Sequence, residues 1–364
     1  MVQLRPPQAR ASSVARVARA WYVACPSSEL GKKPIARRIL GLPMVLFRGE
    51  GGAPGALLDR CPHRNVPLSM GRATPAGLLE CAYHGWQFDA AGECKKVPAL
   101  CGAQSASARK APAFACREQD GFVWVWAEPD DAPDAEPFRF PLVGAPGYTT
   151  VRERVTAKSS LHAAAENALD VPHTAFLHAG LFRSDDKPRN PIEVVVRRSA
   201  DRVEAEYIGE PRPGGLVGRI LAPKGGVVEH FDRFLLPSIV QVEYRLGETH
   251  LFVSAALTPE EDYLTHLYAV ISFKLPIPGF VIVPFLKPIA LRIFGQDAAI
   301  LERQTENIRS FGGEQYVSTE VDVLGPQILR LLRAAERGKA DRSKSDGRTD
   351  ASSEPAERRF TMEV

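Results

Sequence analysis

Cys61-Pro-His63 and Cys81-Ala-Tyr-His84 place one thiol and one imidazole in each of two short segments. Two thiolates can hold one iron of a [2Fe–2S] unit while two imidazoles hold the other, which raises the potential above that of an all-cysteine cluster. The other chemistry open to these four side chains is a Cys2His2 zinc site. Zinc fingers usually pair Cys with Cys and His with His. Here each segment supplies one of each, which suits a cluster with one thiolate from each segment on the same iron.

A second constellation lies downstream, in Glu166-Asn167-Ala-Leu-Asp170-Val-Pro-His173-Thr-Ala-Phe-Leu-His178. Two histidines and a carboxylate on one face of an iron leave positions for O2 and substrate. On an ideal helix His173 and His178 would point about 140° apart. They converge only if the helix is distorted or ends between them, and Pro172 sits where it would perturb the ladder. A pair of histidines at this spacing is more often core or surface. The third ligand must be an acid from elsewhere in the chain.

The surroundings narrow the choice. Cys61-Pro-His-Arg-Asn65 and Cys81-Ala-Tyr-His-Gly-Trp-Gln-Phe88 resemble the two cluster-binding loops of the Rieske family. Respiratory Rieske proteins carry an extra cysteine in each loop, joined as a disulfide. Asn65, Val66 and Tyr83 occupy that neighbourhood here, so the resemblance is to the low-potential clusters of oxygenases and their ferredoxins. Asn-x-x-Asp-x-x-His-x4-His resembles the mononuclear-iron motif of Rieske oxygenases. The likeness runs roughly from Trp21 to Glu336. Gly92-Glu-Cys94 and the run Glu166 to His173 fit the vanillate demethylase and pheophorbide a oxygenase branches.

The resemblance implies a site residue by residue. One [2Fe–2S] cluster would sit on Cys61, His63, Cys81 and His84, and one mononuclear Fe(II) on His173, His178 and Asp297. Asp297 matches the family's late carboxylate ligand; its other reading is a helix N-terminal acid favoured by the dipole, with Glu302 as the alternative ligand. Asp170 would bridge His173 to the cluster ligand His84 of a neighbouring subunit, orienting both imidazoles; otherwise it is a helix-capping acid. Asn167 would lie near the iron. The implied enzyme is a homotrimer, a mono- or dioxygenase that takes O2 and a small apolar substrate. Its electrons would come from NAD(P)H through a separate reductase, with or without a ferredoxin. No nicotinamide or flavin fingerprint accompanies these motifs.

The elements expected to position these residues fall into two parts, an α+β organisation. Residues 1–149 read as an all-β cluster domain with its N-terminal segment. Short apolar runs broken by Gly and Pro include Val45–Arg48, Ala56–Asp59 and Gly121-Phe-Val-Trp-Val-Trp126, the last buried on both faces. Residues 150–336 read as a catalytic domain with a helix-grip-like antiparallel sheet. Helical composition spans Thr156–His178 and roughly Phe294–Phe311. Two-residue alternation marks Ile192–Arg198, Arg202–Ile208, Val240–Tyr244, Leu251–Ala256 and Tyr263–Phe273, with a hairpin signal at Ser199-Ala-Asp201. Residues 337–364, rich in Arg, Lys, Asp, Ser and Gly, read as a disordered tail.

Composition sets the outer limits. The 364 residues carry 46 basic and 43 acidic side chains, a net charge of +3, which argues against nucleic-acid binding. Arg5, Arg10, Arg16 and Arg19 precede the first acid, Glu29; this is a transit-peptide-like pattern, read here as a frayed terminus. Of six cysteines, the four outside the metal-site segments read as reduced thiols, and with no secretory signal the chain reads as cytoplasmic. The apolar stretch Leu275–Phe294 holds four prolines, Lys287 and Arg292. It is a poor spanning helix, with a peripheral membrane contact left open. Two other functions compete with an oxygenase. A pure Rieske electron carrier would not need the second iron motif. A zinc-stabilised interaction protein would hold zinc at the cysteines.

Overall fold

The computed structural model describes residues 10–98, 100–102, 107–178, 190–211, 228–342 and 356–363. These fall into two compact units, one built on Val17–Arg139 with Thr258–Glu261, the other on Pro7–Arg16, Phe140–Leu257 and Asp262–Val364.

The first unit is all β. Its strands are β1 (Trp21–Pro26), β2 (Ile35–Ile39), β3 (Leu42–Arg48), β4 (Pro54–Leu58), β5 (Arg72–Ala73), β6 (Leu79–Glu80), β7 (Gln87–Phe88), β8 (Cys94–Lys96), β9 (Ala113–Phe114), β10 (Cys116–Gln119) and β11 (Phe122–Trp126). They form three small sheets, ordered β1-β11-β10, β2-β3-β4-β9 and β5-β6-β7-β8. Strand β11 is central in its sheet and buried throughout, so its Val and Trp side chains fill both faces. The acidic, proline-rich stretch after β11 folds back onto this unit. Trp21 donates to the Ala135 carbonyl and Trp126 to Asp131, and Arg19 pairs with Asp131.

The second unit is one eight-stranded antiparallel sheet with helices. Strands β12 (Thr149–Ala157), β13 (Pro191–Arg198), β14 (Arg202–Ile208), β15 (Glu229–Leu235), β16 (Ile239–Leu246), β17 (Thr249–Glu261), β18 (Leu264–Lys274) and β19 (Ala356–Glu363) lie in the order β12-β18-β17-β16-β15-β14-β13-β19. Helices α1 (Leu161–Ala168) and α2 (His173–Phe176) follow β12; α3 (Gly279–Ser310) and α4 (Gly325–Arg342) come after the meander. Helix α3 lies along β12, held at one point by Lys287 against Glu153 at 2.6 Å.

Four expectations change. Thr156 and Ala157 finish a strand rather than start a helix; Ser160 then caps α1 by accepting from the Ala163 amide at 3.1 Å. Helix α3 begins well before Phe294 and contains Pro284 and Pro288, each of which removes one ladder donor without ending the helix. The tail is not disordered where described. Helix α4 runs to Arg342, and β19 pairs with β13 from Pro191–Glu363 to Arg198–Ala356, burying Met362. An edge strand offers unpaired backbone groups that such a segment can complete, however polar its flank; positions 343–355 lie outside the described residues. The N-terminal segment is ordered from Arg10: Ser12 and Ser13 donate to Glu314, and Val14 joins Tyr263 and Ala11 in a small core.

Candidate metal centres and active site

The two Cys/His segments fold as matching loops. In the first, Cys61 N donates to Val66 O and Asn65 N to Cys61 O, each at 2.9 Å; in the second, Cys81 N donates to Trp86 O and Gly85 N to Cys81 O, at 2.8 and 3.0 Å. Each loop turns through a left-handed residue, Asn65 at φ 62° and Gly85 at φ 70°, positions that suit Asn and Gly. The loops meet: the Trp86 ring stacks on His63 at 4.7 Å, and the His63 and His84 rings lie 4.5 Å apart. Cys61 and Cys81 are buried within a core that includes Leu68, Leu79 and Phe88, whereas His84 is exposed.

These groups fit a cluster. Burial pushes the Cys61 thiol up to about 11, and the adjacent Cys81 adds to the rise, so the Cys61 thiolate forms only beside a compensating cation. Desolvation and the neighbouring His84 hold His63 below its ordinary value, keeping it neutral as a ligand must be. Its Nδ1 is buried with no hydrogen-bond partner, an orphan that a metal bond would satisfy.

The second constellation converges because the helix ends. Helix α1 stops at Ala168, the chain turns through Leu169–Val171, and α2 restarts after Pro172. His173 opens α2 and His178 lies beyond its last turn. Asp297 comes from the middle of α3. The Nε2 atoms of His173 and His178 are 3.2 Å apart, and Asp297 Oδ1 lies 3.5 and 3.1 Å from them. Metal–ligand bonds of about 2.0–2.2 Å at right angles put donor atoms ~3 Å apart, so the three atoms can share one ion. Asp297 Oδ1 is buried and makes no hydrogen bond. Burial opposes their charges, yet contact with Asp170 and Asp297 raises His173 to about 9, and the two imidazoles hold Asp297 below the usual carboxylate range. The site is therefore built around a positive charge. Glu302 points elsewhere and pairs with Lys158 at 2.5 Å, so it is not part of this triad.

Asp170 accepts from the His173 amide at 2.9 Å, and its Oδ2 is 3.3 Å from Nδ1 of the same residue. It satisfies the first amide of α2, ahead of the N-cap Pro172, and neighbours the imidazole of the same residue. Asn167 lines the cavity above the triad.

Two family descriptions match the chain: a Rieske [2Fe-2S] domain over residues 20–107, and the vanillate O-demethylase oxygenase C-terminal domain over residues 157–338. The chain is a Rieske oxygenase. The vanillate O-demethylase oxygenase subunit of Pseudomonas sp. (strain HR199 / DSM 7063) is 26% identical over 356 residues, covering 88% of this chain and 96% of that protein. The dicamba O-demethylase oxygenase component of Stenotrophomonas maltophilia is 37% identical over 183 residues, 50% of this chain and about half (53%) of that relative's length. The crystal structure of dicamba monooxygenase bound to dicamba superposes with a TM-score of 0.75 at 26% identity, covering 90% of this chain and 99% of that one.

This Rieske oxygenase is a mono- or dioxygenase with one [2Fe–2S] cluster and one mononuclear iron. The electron-carrier alternative is not favoured. The cavity beside the triad, about 220 Å³, lies between the sheet and α3. Val155, Val242, Leu251, Val253 and Leu267 face it from the strands, and Ile293, Phe294 and Leu301 from α3. Asn167, Asp170 and His173 line this cavity and also a groove on the other side, edged by Phe176, Leu177, Val317 and Val321. They form the partition between the two.

Two features of the Rieske oxygenase escaped the sequence reading. Gln296 sits 2.9 Å from Nδ1 of His178; only its place beside Asp297 hinted at it. Glu210, His230 and Asp232 form a buried polar group on the cavity wall. The period-two pattern of β15, in which His230, Asp232 and Phe234 share the buried face, was the signal that could have revealed it.

Proposed function

We propose that this chain oxidises a small apolar substrate by monooxygenation at a methyl or methylene carbon, with oxidative demethylation as the reaction its relatives favour. The observation that carries this reading is the His173, His178 and Asp297 triad at the edge of an apolar cavity. The chemistry that the two groups supply when bound is electron transfer and O2 activation. Removing a methyl group from an ether or amine consumes one O2, two electrons and two protons, and releases formaldehyde and water with the demethylated product.

The protein's own side chains do the positioning. In this reading His173, His178 and Asp297 hold the iron, while Cys61, Cys81, His63 and His84 hold the cluster. Nδ1 of His178 donates to Gln296, which presents Nε2 toward the metal. Asp170 orients His173 from the opposite side. The apolar walls keep water from the reacting carbon, and Asn167 lies where it would meet O2 or substrate.

We infer that electrons arrive from a neighbouring copy in a homotrimer. The cluster unit exposes His84, Tyr83 and Met70, the last two 62% and 67% exposed, around its ligand loops. The catalytic unit exposes Phe176 and Val317 at the groove that reaches Asp170. Docking one apolar surface on the other would set His84 of one copy against Asp170 of the next. The reductase, directly or through a ferredoxin, would then load the cluster in the cytoplasm, where the four cysteines outside the cluster stay reduced. Membrane contact is no part of this reading. Helix α3 has the length and apolarity to cross a bilayer, but it carries Asp297 into the active cavity and Lys287 onto Glu153.

The test is a single turnover of chemically reduced holoprotein with ¹⁸O2 and an apolar substrate panel, followed by mass spectrometry. His173→Ala should abolish labelled product and leave the cluster absorption intact. Product formed by that variant at the normal rate would overturn the assignment.

A further inference from the structure

The strand wall of the cavity is graded in size. Three pairs of residues face each other directly across β16 and β17: Tyr244 with Leu251, Val242 with Val253, and Val240 with Ala255. All six border the cavity. Both strands are interior to the eight-stranded sheet, with a hydrogen-bonded neighbour on either side that holds the backbone in place. Tyr244 at one end is stacked on His230 at a centroid distance of 4.1 Å. Val240 and Ala255 at the other end are buried, and Ala255 projects only a methyl group. Between these two pairs, Val242 and Val253 are only half-buried although their strands are central, because they face the cavity. Both are β-branched, which restricts how far their methyl groups can swing aside.

Volume turns this geometry into a limit. A dry protein cavity of about 150 Å³ lined by Leu, Ile and Phe holds one benzene, or roughly 25 Å³ per heavy atom. The cavity here measures about 220 Å³. On the same scale a one-ring methyl ether such as anisole needs roughly 200 Å³, and its two-ring counterpart roughly 300 Å³. The first fits and the second does not. Cutting Val242 and Val253 back to alanine would release roughly 100 Å³ next to the existing space, enough to admit the second ring. Truncating Val240 would open a buried end of the row instead, and Ala255 has nothing to give up.

We propose that the opposed pair Val242 and Val253 is the size filter of this oxygenase, and that the cavity admits a one-ring substrate and excludes a two-ring one. This deepens the demethylation reading and rests on it for the reacting methyl group. Where a cavity has room, a second ring adds buried apolar area and tightens binding. A size limit reverses that order, so the two cases are told apart by which ligand binds better.

The test is equilibrium dialysis of anisole and 2-methoxynaphthalene, a one-ring and a two-ring methyl ether, against the iron- and cluster-loaded protein. Anisole should bind at least about tenfold more tightly. In the double variant Val242→Ala and Val253→Ala, the two-ring ether should gain at least about tenfold relative to anisole. Where that variant loses its cluster absorption, Val253→Ala alone should move the ratio in the same direction by about threefold. Equal or tighter binding of 2-methoxynaphthalene by the parent protein, no binding of either ether, or a ratio unchanged in a folded variant overturns the proposal. Phenol and formaldehyde released from anisole in a single turnover are read separately. Binding in the stated order without their release keeps the size filter and counts against demethylation; their release with the order reversed keeps demethylation and removes the size filter.

Discussion

Nδ1 of His178 donates to the side-chain oxygen of Gln296 at 2.9 Å, although the two residues come from segments 118 positions apart. That bond fixes the imidazole tautomer with Nε2 toward His173 and Asp297. Gln296 and Asp297 are successive residues on one turn of α3, so one stretch of helix supplies both a donor to the triad and the group that orients another member. Partners of this kind typically change metal affinity by about 10–100-fold when removed. Gln296→Leu should weaken iron binding by that factor while the [2Fe–2S] absorption is unchanged. Iron titration of the metal-stripped protein measures it, and an unaltered affinity would show that the tautomer is set by something else.

Asp170 belongs to the partition between the cavity and the groove. Asp170→Asn keeps the shape and an acceptor for the His173 amide, but removes the charge beside Nδ1. Product formation should fall by about 10–100-fold, with mononuclear iron still bound. The discriminating measurement is the rate at which the reduced cluster is reoxidised in the presence of O2 and substrate. If reoxidation keeps its normal rate while product falls, Asp170 acts on the iron site alone and the inter-subunit route is wrong.

Gly85 closes the second cluster loop at φ 70°, and an added Cβ there would sit 3.0 Å from the Pro98 ring. Gly85→Ala therefore combines a left-handed alanine, costing about 1–2 kcal/mol, with a tight contact. We expect fewer clusters per chain and faster bleaching on warming, read from iron and sulfide content and the visible spectrum. Full cluster occupancy with unchanged thermal bleaching would contradict the loop geometry.

Glu166 lies on the groove, where burial raises its carboxyl from the ordinary 4.5 to about 7, with Asp322 and Asp170 adding to the rise. Between those values the folded chain holds a proton that the unfolded chain has released. The stabilising contribution is full below about 4.5 and is lost as pH rises through about 7. Glu166→Gln removes the dependence. Its Tm should exceed that of the parent at pH 8 by roughly 2–4 °C per kcal/mol recovered, and the advantage should shrink toward pH 5. A constant difference across that range would mean that Glu166 titrates normally.

Much of the chemistry was legible in the sequence because it depends on residue type and close spacing. Cys61-Pro-His63 and Cys81-Ala-Tyr-His84 each sit in one turn, so their loops are local structures. His173 and His178 could be paired by type and spacing beside Pro172, but that they converge because α2 ends at Phe176 shows only in the structure. Two-residue alternation marked most strands of the large sheet, since a half-buried strand shows its period directly. Strand β15 was missed because its buried face carries His230 and Asp232, polar residues that hide the pattern.

What the tertiary structure decided depends on contacts between distant segments. The position of Asp297 over the two histidines follows from the path of α3 along β12, and no local pattern encodes it. The pairing of Gln296 with His178 has the same origin. The stack of Tyr207, His230 and Tyr244 exists only because β14, β15 and β16 register these side chains in one row. The last strand, Ala356–Glu363, reads as a polar tail on its own and becomes a strand only where β13 offers an unpaired edge. Local spacing determined which metals the chain can hold; long-range packing determined the cavity beside them, because a wall is assembled from faces that no single segment contains.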